Sequence, residues 1–401
     1  MLMATPMQAR ILEVGSGKPF AQIRSALAAS QPGDEIRVYP GVYKEGHLVI
    51  DKVVQLTGIH FPVLDGNHAG EIITIASPNV SVRGFRLVHS GTSSVKDYAG
   101  IRILRVRNVV IAGNILYDTF FGIYGEYATN CRIEKNELVG ISKTEQQSGN
   151  GIHCWKCDSM QIIGNQITGH RDGIYFEFVT NSIIWRNYSF QNLRYGLHFM
   201  FSNTDTYAIN RFENNGAGVA VMFSNQVRMY GNYFRQNWGD AAYGILLKEI
   251  SDSDIQGNYF EQNTSGIYME GASRIHMTRN SFRNNGWGLK IQASCMDIVL
   301  EQNNFMSNTF DVGTNGSLVL NTFRNNYWDK YSGYDLNHDQ TGDVPYRPVS
   351  LYSMIAEKNP PVMMLFQSLI ASLMDQTEKV LPSITPESLK DESPHMKPFP
   401  L

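Results

Sequence analysis

The segments GLHFMFSN (residues 196–203) and GVAVMFSN (218–225) place two methionines, Met200 and Met222, at the same point of a pattern 22 residues apart. His198 stands two residues before Met200, and Glu177 holds the matching place one repeat upstream. Thioether sulfur is a soft donor, and thioether with imidazole is a ligand set that favours Cu(I). The same methionines read as interface hydrophobes if a loop or a partner covers them. The face of the fold that they occupy decides between the two.

That face follows from an internal repeat. Glycine-apolar starts recur as GIRIL at 100, GIYGE at 122, GIHCW at 151, GIYFE at 173, GLHFM at 196, GVAVM at 218, GILLK at 244, GIYME at 266 and GLKIQ at 288. Most steps are 22 or 23 residues, and two are longer, at 29 and 26. A second column comprises Asn114, Asn136, Asn165, Asn187, Asn210, Asn232, Asn258, Asn280 and Asn303. Each repeat reads strand, turn, short strand, Asn turn, strand, with no helical period between. This predicts an all-β fold, a right-handed parallel β-helix solenoid with one coil per repeat and a core shared between neighbours. The asparagines would form an amide ladder at turns whose left-handed backbone Asn tolerates. PFAQIRSALAASQPGD fits a short N-terminal capping helix over about 20–30, and a helical extension is expected near the C-terminus.

Strand side chains alternate between faces. Counting each start glycine as zero, positions +1 and +3 are apolar and face the core, so +2 and +4 point outward. His198, Met200, Met222 and Glu177 are then on the outer face. The two longer steps place extra residues in GISKTEQQSGNG (140–151) and RQNWGDAAYG (235–244), which would wall a groove floored by Tyr175, Glu177, His198, Met200 and Met222. In HCWKC, Cys154 falls in the inward column and Cys157 at a corner, the pattern of small buried residues rather than of a redox pair. A rival reading takes the outward Tyr124, Glu126, His153, Tyr175, Glu177 and Lys248 as the acid, base and charge-neutralising groups of a polysaccharide lyase, hydrolase or epimerase. Two methionines in the middle of a sugar groove argue against it. A scaffold that binds partners but no metal is a third reading.

The formal net charge of −3 leaves no electrostatic footprint for nucleic acid or an anionic membrane. No apolar run is long enough to span a bilayer. MLMATPMQARILEVG lacks an apolar leader core and a small-residue cleavage site, as expected of a cytosolic chain or of one whose secretory leader has been removed. Near the C-terminus, Asp335, Asn337, Asp339, Thr341 and Asp343 follow a 1, 3, 5, 7, 9 spacing of oxygen ligands, with Gln340 where calcium loops carry Gly and Tyr346 where they carry Glu. A Ca2+ site and a loop of Asx turns fit this spacing equally. Pro360-Pro361 are expected to start a helix that Pro382 ends, with a wide apolar stripe containing Met363, Met364, Phe366, Leu369, Ile370 and Leu373. That stripe either caps the solenoid or docks to a partner. The organisation expected is an N-terminal segment and capping helix (1–34), the β-helix (35–325), the Asp/Asn-rich loop (326–349), a helical docking element (350–383) and a flexible tail (384–401).

The chain resembles the NosD family, periplasmic β-helix accessory proteins for the maturation of nitrous oxide reductase. The resemblance rests on PGDEIRVYPGVYKEG, on the GLHFMFSN…NNGAGVAVMFSN pair, and above all on NNYWDKYSGYDLNHDQTGDVPYRPVSLYSMIAEKNPPVMMLFQSLIASLMDQTEKVLPSITPE. It implies a periplasmic location and a membrane ABC transporter (an ATPase plus a permease) as partner. It also implies a role in building the copper centres of nitrous oxide reductase, with Cu(I) taken from a copper-chaperone lipoprotein. The C-terminal helical element would dock to the permease. On this reading the protein is a non-catalytic Cu(I) carrier in which His198, Met200 and Met222 bind the ion and Glu177 is a weaker candidate. Handling of sulfur with the transporter stays open.

Overall fold

The computed structural model describes residues 9–316, 320–365, 368–369, 373–374 and 389–400. They divide into two compact units between Arg194 and Tyr195. Each is a parallel β-helix whose coils contribute one strand to each of three sheets. No helix among the described residues is long and apolar enough to cross a membrane.

In the first unit, helix α1 (Ile23–Ala29) buries Ile23, Ala26 and Leu27 against strands Ile11–Val14 and Glu35–Val38, covering the apolar end of the first coils. Gln22 offers no side-chain cap, and the Glu45 carboxylate takes that role by accepting from Ile23 N at 2.7 Å and Arg24 N at 2.8 Å. The glycine-start strands stack in strict register, Ile101 beside Ile123, Ile152 and Ile174 in turn, all buried. The +1 and +3 columns are therefore core, as the alternation requires.

The second unit repeats this plan. Leu197, Val219, Ile245, Ile267, Leu289 and Val312 form its inward column. Beneath it runs a continuous ring stack, Phe212, Phe234, Phe260, Phe282, Phe305 and Trp328, with centroids 5.4, 4.8, 4.8, 4.7 and 4.2 Å apart. Burying each ring is worth about 1.5–3 kcal/mol. The stack also explains the start glycines. A Cβ on Gly196 would lie 2.7 Å from the Gly218 carbonyl oxygen and 2.8 Å from Phe212 Cδ1.

The asparagine ladder is present. Asn210 gives both its backbone N–H and its Nδ2 to Asn232 Oδ1 at 3.0 Å, and Asn232, Asn258, Asn280 and Asn303 continue the pattern. One detail differs from expectation. The left-handed residue is the one before each ladder asparagine, among them Gly113, Lys135, Arg186, Ile209, Gly231 and Gln302. That turn aims the amide inward, where it bonds the next coil. A second ladder, Asn215, Asn237, Asn263, Asn285 and Asn308, runs at the other end of the Phe-bearing strands.

The C-terminal region departs most from expectation. Helix α2 (Leu351–Lys358) is capped by Ser350, whose side chain accepts from Ser353 N, and a 3-10 turn follows over Pro360–Leu365. α2 lies on the outer side of the last glycine-start strands, where Tyr352 and Ala356 pack on Trp287 and Phe310. Lys290 and Gln292 reach Glu357 at 2.7 and 3.3 Å. The predicted helix from Pro360 to Pro382 falls mostly outside the described residues, as do Phe366, Ile370 and the Met363 side chain. The tail expected to be flexible over 384–401 is corrected over 389–400. Asp391 is buried and accepts from Asn325 N, Asn326 N, Asn326 Nδ2 and Trp328 Nε1 at 2.9–3.1 Å. It occupies the next rung of the first ladder, so a remote segment completes the final coil.

Candidate functional site

Strands Tyr195–Met200 and Ala217–Met222 are parallel neighbours whose register sets Leu197 against Val219, His198 against Ala220, and Met200 against Met222. Both methionines point outward and are half-buried. The repeated Met-Phe-Ser-Asn after each strand fixes them. Ser202 N donates to Ser224 Oγ at 3.1 Å, and the Ser202 and Ser224 hydroxyls donate back to the Met200 and Met222 carbonyls at 3.1 and 2.9 Å. Asn225 N donates to Asn203 Oδ1 at 2.9 Å. Phe201 and Phe223 adopt left-handed φ of 52° and turn out of the strand, where their exposed rings stack at 5.2 Å. Such backbone in a non-glycine residue costs of order 1–3 kcal/mol. Sequence reasoning missed this phenyl ledge, although the Phe after each Met was its signal.

His198 differs from expectation. Its position is outward, yet it is only 4% exposed, because aromatic side chains form a further layer over this sheet. The Tyr195 ring meets its imidazole edge-on at 4.9 Å. The facing residue is Ala220, itself fully buried. Beyond Met222 the same column continues with Lys248, in register, and then Glu270, 3.9 Å from Lys248 Nζ. The donor set at this place is thus two in-register thioethers with one buried imidazole two residues along the strand, which is soft and suited to Cu(I). Glu177 ends strand Asp172–Glu177 of the first unit, half-buried and in register with Trp155. The insertions at 140–151 and 235–244 are both present, one carrying a 3-10 turn at Glu145–Gln147 and the other an exposed Trp238.

Most groups of the rival reading lie in the first unit. There Tyr124, His153 and Tyr175 form a ring cluster with centroids 4.4 and 4.8 Å apart, the first pair tilted by 49° and the second edge-on, and Phe121 stacks on Tyr124. Burial pushes the Tyr175 hydroxyl up to about 12 and that of Tyr124 higher still. Glu126 is paired with Arg102 at 3.5 Å and Arg105 at 3.4 Å. Cys154 and Cys157 are buried thiols, and Cys157 Sγ accepts from Ala128 N at 3.4 Å.

In the Asp/Asn-rich loop the oxygens turn onto the loop's own amides. Asp335 accepts from Asp339 N at 3.2 Å and Gln340 N at 2.9 Å, Asp339 from Thr341 N at 2.7 Å, and Asp343 from Leu336 N at 2.7 Å. Asp339 N to Asn337 Oδ1 at 3.1 Å and Thr341 N to Asp339 at 2.7 Å are contacts of the Asx-turn kind. Of the apolar stripe, Met364 is 89% and Leu369 77% exposed, and Leu373 is exposed as well.

Comparison with known proteins bears on this geometry. Residues 140–337 match the family model described as periplasmic copper-binding protein (NosD). The chain is 29% identical over 373 residues to a probable ABC transporter binding protein NosD of Pseudomonas aeruginosa, covering 88% of this chain and 86% of that one. It is 26% identical over 407 residues to the protein of the same description from Stutzerimonas stutzeri, covering 96% and 92%. Among solved structures it is similar to PfbA, a surface adhesin of Streptococcus pneumoniae, with TM-score 0.60, 13% identity, and 73% and 87% of the two chains covered. It is also similar to the A-module of a mannuronan C-5 epimerase of Azotobacter vinelandii, with TM-score 0.50, 17% identity, and 76% and 89% covered. At those identities the likeness to the adhesin and the epimerase is one of fold alone. The sequence relatives and the family model carry more, and they support a likeness to the NosD family that runs over most of the chain.

Proposed function

We propose that this chain is a non-catalytic Cu(I) carrier of the periplasm, with the ion as its cargo. Met200 and Met222 supply two thioethers and His198 an imidazole. The carrier receives Cu(I) from a copper-chaperone lipoprotein and, together with an ABC transporter, delivers it to nitrous oxide reductase. The observation that carries this reading is the register of Met200 against Met222, which sets two soft donors side by side on an outer face. Few ligands, with both thioethers half-buried rather than enclosed, favour exchange over storage, since an incoming donor replaces one thioether at a time. The exposed Met364 and Leu369 support the C-terminal segment as the element that meets the permease.

The test is an anaerobic Cu(I) competition titration of the chain beside the Met200→Ala/Met222→Ala variant. The expected result is binding by the parent and a loss of at least about a hundredfold in the variant, with unchanged circular dichroism because neither methionine fills the core. A parent that binds no Cu(I) while still forming transporter complexes would replace the carrier with a metal-free scaffold.

A further inference from the structure

A different cluster of metal-ligating side chains lies in the first unit, away from any methionine. Strands Val63–Asp65, Arg86–Val88 and Ile115–Tyr117 are successive parallel neighbours, with Asp65 against Val88 and Val88 against Tyr117. His89 and Asp118 each follow their strand directly, and His68 follows Asp65 by one short turn. All three adopt left-handed φ, 55° at His68, 57° at His89 and 53° at Asp118. The turn that carries His68 is pinned to the coil above it, because Gly66 N donates to the Val88 carbonyl and His68 N to the His89 carbonyl, both at 2.9 Å.

This backbone gathers the side chains. One ligand atom from each of His68, His89 and Asp118 lies within 4.8 Å of the other two. The imidazoles face each other at 4.7 Å, tilted by 35°. Asp65 orients one of them, accepting from His89 Nδ1 at 3.0 Å, so the neutral ring keeps its lone pair on Nε2. Asp65 is itself held by Asn67 N at 2.9 Å and Lys44 Nζ at 3.2 Å. A carboxylate behind the histidine is the usual support of a metal-bound imidazole.

We propose that His68, His89 and Asp118 form a second metal site, selective for a divalent first-row cation such as Zn(II). Two imidazoles and a carboxylate are borderline to hard donors, unlike a thioether pair. Zn(II) binds such atoms at about 2.0–2.2 Å, which places them about 3.4 Å apart around a tetrahedral ion. Small side-chain rotations close the observed separation to that value. The Asp118 carboxylate, with Asp65 behind His89, supplies negative charge to meet the cation. His68 is exposed, so the fourth position opens to water. The ion would tie three successive coils together at one corner, near the N-terminal end of the first unit.

The test is Zn(II) titration of the metal-free full chain against a chromophoric chelator at neutral pH, with the visible spectrum of the Co(II) form as a second readout. The expected result is one equivalent bound in the micromolar range or tighter and a tetrahedral Co(II) spectrum. Affinity should fall about tenfold or more in His89→Ala and in His68→Gln, and stay unchanged in Met200→Leu/Met222→Leu. Should His89→Ala fail to fold by circular dichroism, the exposed His68→Gln decides alone. A parent that takes up no Zn(II) in that range, or histidine variants that bind as the parent does, overturns the proposal.

Discussion

Met222 lies between Met200 on one neighbouring strand and Lys248 on the other, all three at the same outward position of parallel glycine-start strands. The column is therefore extendable by substitution. Lys248→Met would set a third thioether beside the pair, at the loss of an exposed ion pair with Glu270 worth about 0–1 kcal/mol. Cu(I) affinity should rise by about tenfold or more, as one added soft ligand implies. Unchanged affinity in competition titration would show that the ion is not held by this column.

Asp391 should govern the last coil. Asp391→Ala strands four donors on Asn325, Asn326 and Trp328, three of them buried, at a cost of about 3 kcal/mol. Asp391→Asn keeps one acceptor and should lose about half as much. Hydrogen exchange at residues 322–328, with Trp328 fluorescence, reads the effect. The loss should stay local, because a solenoid coil contacts only its neighbours.

Ile209 is a β-branched residue at φ 55°, exposed, in the place that Gly231 and Gly257 hold in later coils. Ile209→Asn should relieve that strain without emptying any core, and raise stability by about 0.5–1 kcal/mol in urea unfolding. A destabilised variant would mean that the Ile209 side chain makes an apolar contact outweighing the strain.

His170 is fully buried, and desolvation lowers its pKa from 6.5 to about 4. A folded-state value below the unfolded one means that the unfolded chain binds the proton first. Stability from this group is complete above pH 6.5, falls as pH drops toward 4, and changes by about 3 kcal/mol across that window. His170→Leu should flatten the dependence between pH 7 and 4.5, measured as the shift in urea midpoint. An equally steep slope in the variant would assign the acid sensitivity to other groups.

The coils were legible in the sequence because their determinants are local and repeat. The start glycines, the inward Ile and Phe columns and the first asparagine ladder each recur at a fixed step, so a face could be assigned to Met200 and Met222. The outer layer was not legible in the same way. His198 and Tyr124 obey the alternation and still end up buried, because Tyr195, Phe121 and their neighbours pack over the sheet from outside. Nothing in a two-residue period encodes that third dimension. Asp391 was missed for a related reason, since it completes a ladder from 65 residues beyond Asn326. The His68, His89 and Asp118 cluster joins three turns of unlike length, so no fixed step in the sequence announces it.

The anchoring of residues 389–400 gives the C-terminal region a mechanical character. The stretch that carries Met364 and Leu369 is bracketed by α2, clamped on Trp287 and Phe310, and by Asp391, locked beneath Trp328. The described residues on either side of it are thus held to the last coils. A load placed on Met364 or Leu369 would reach the closing coil of the solenoid through those two anchors.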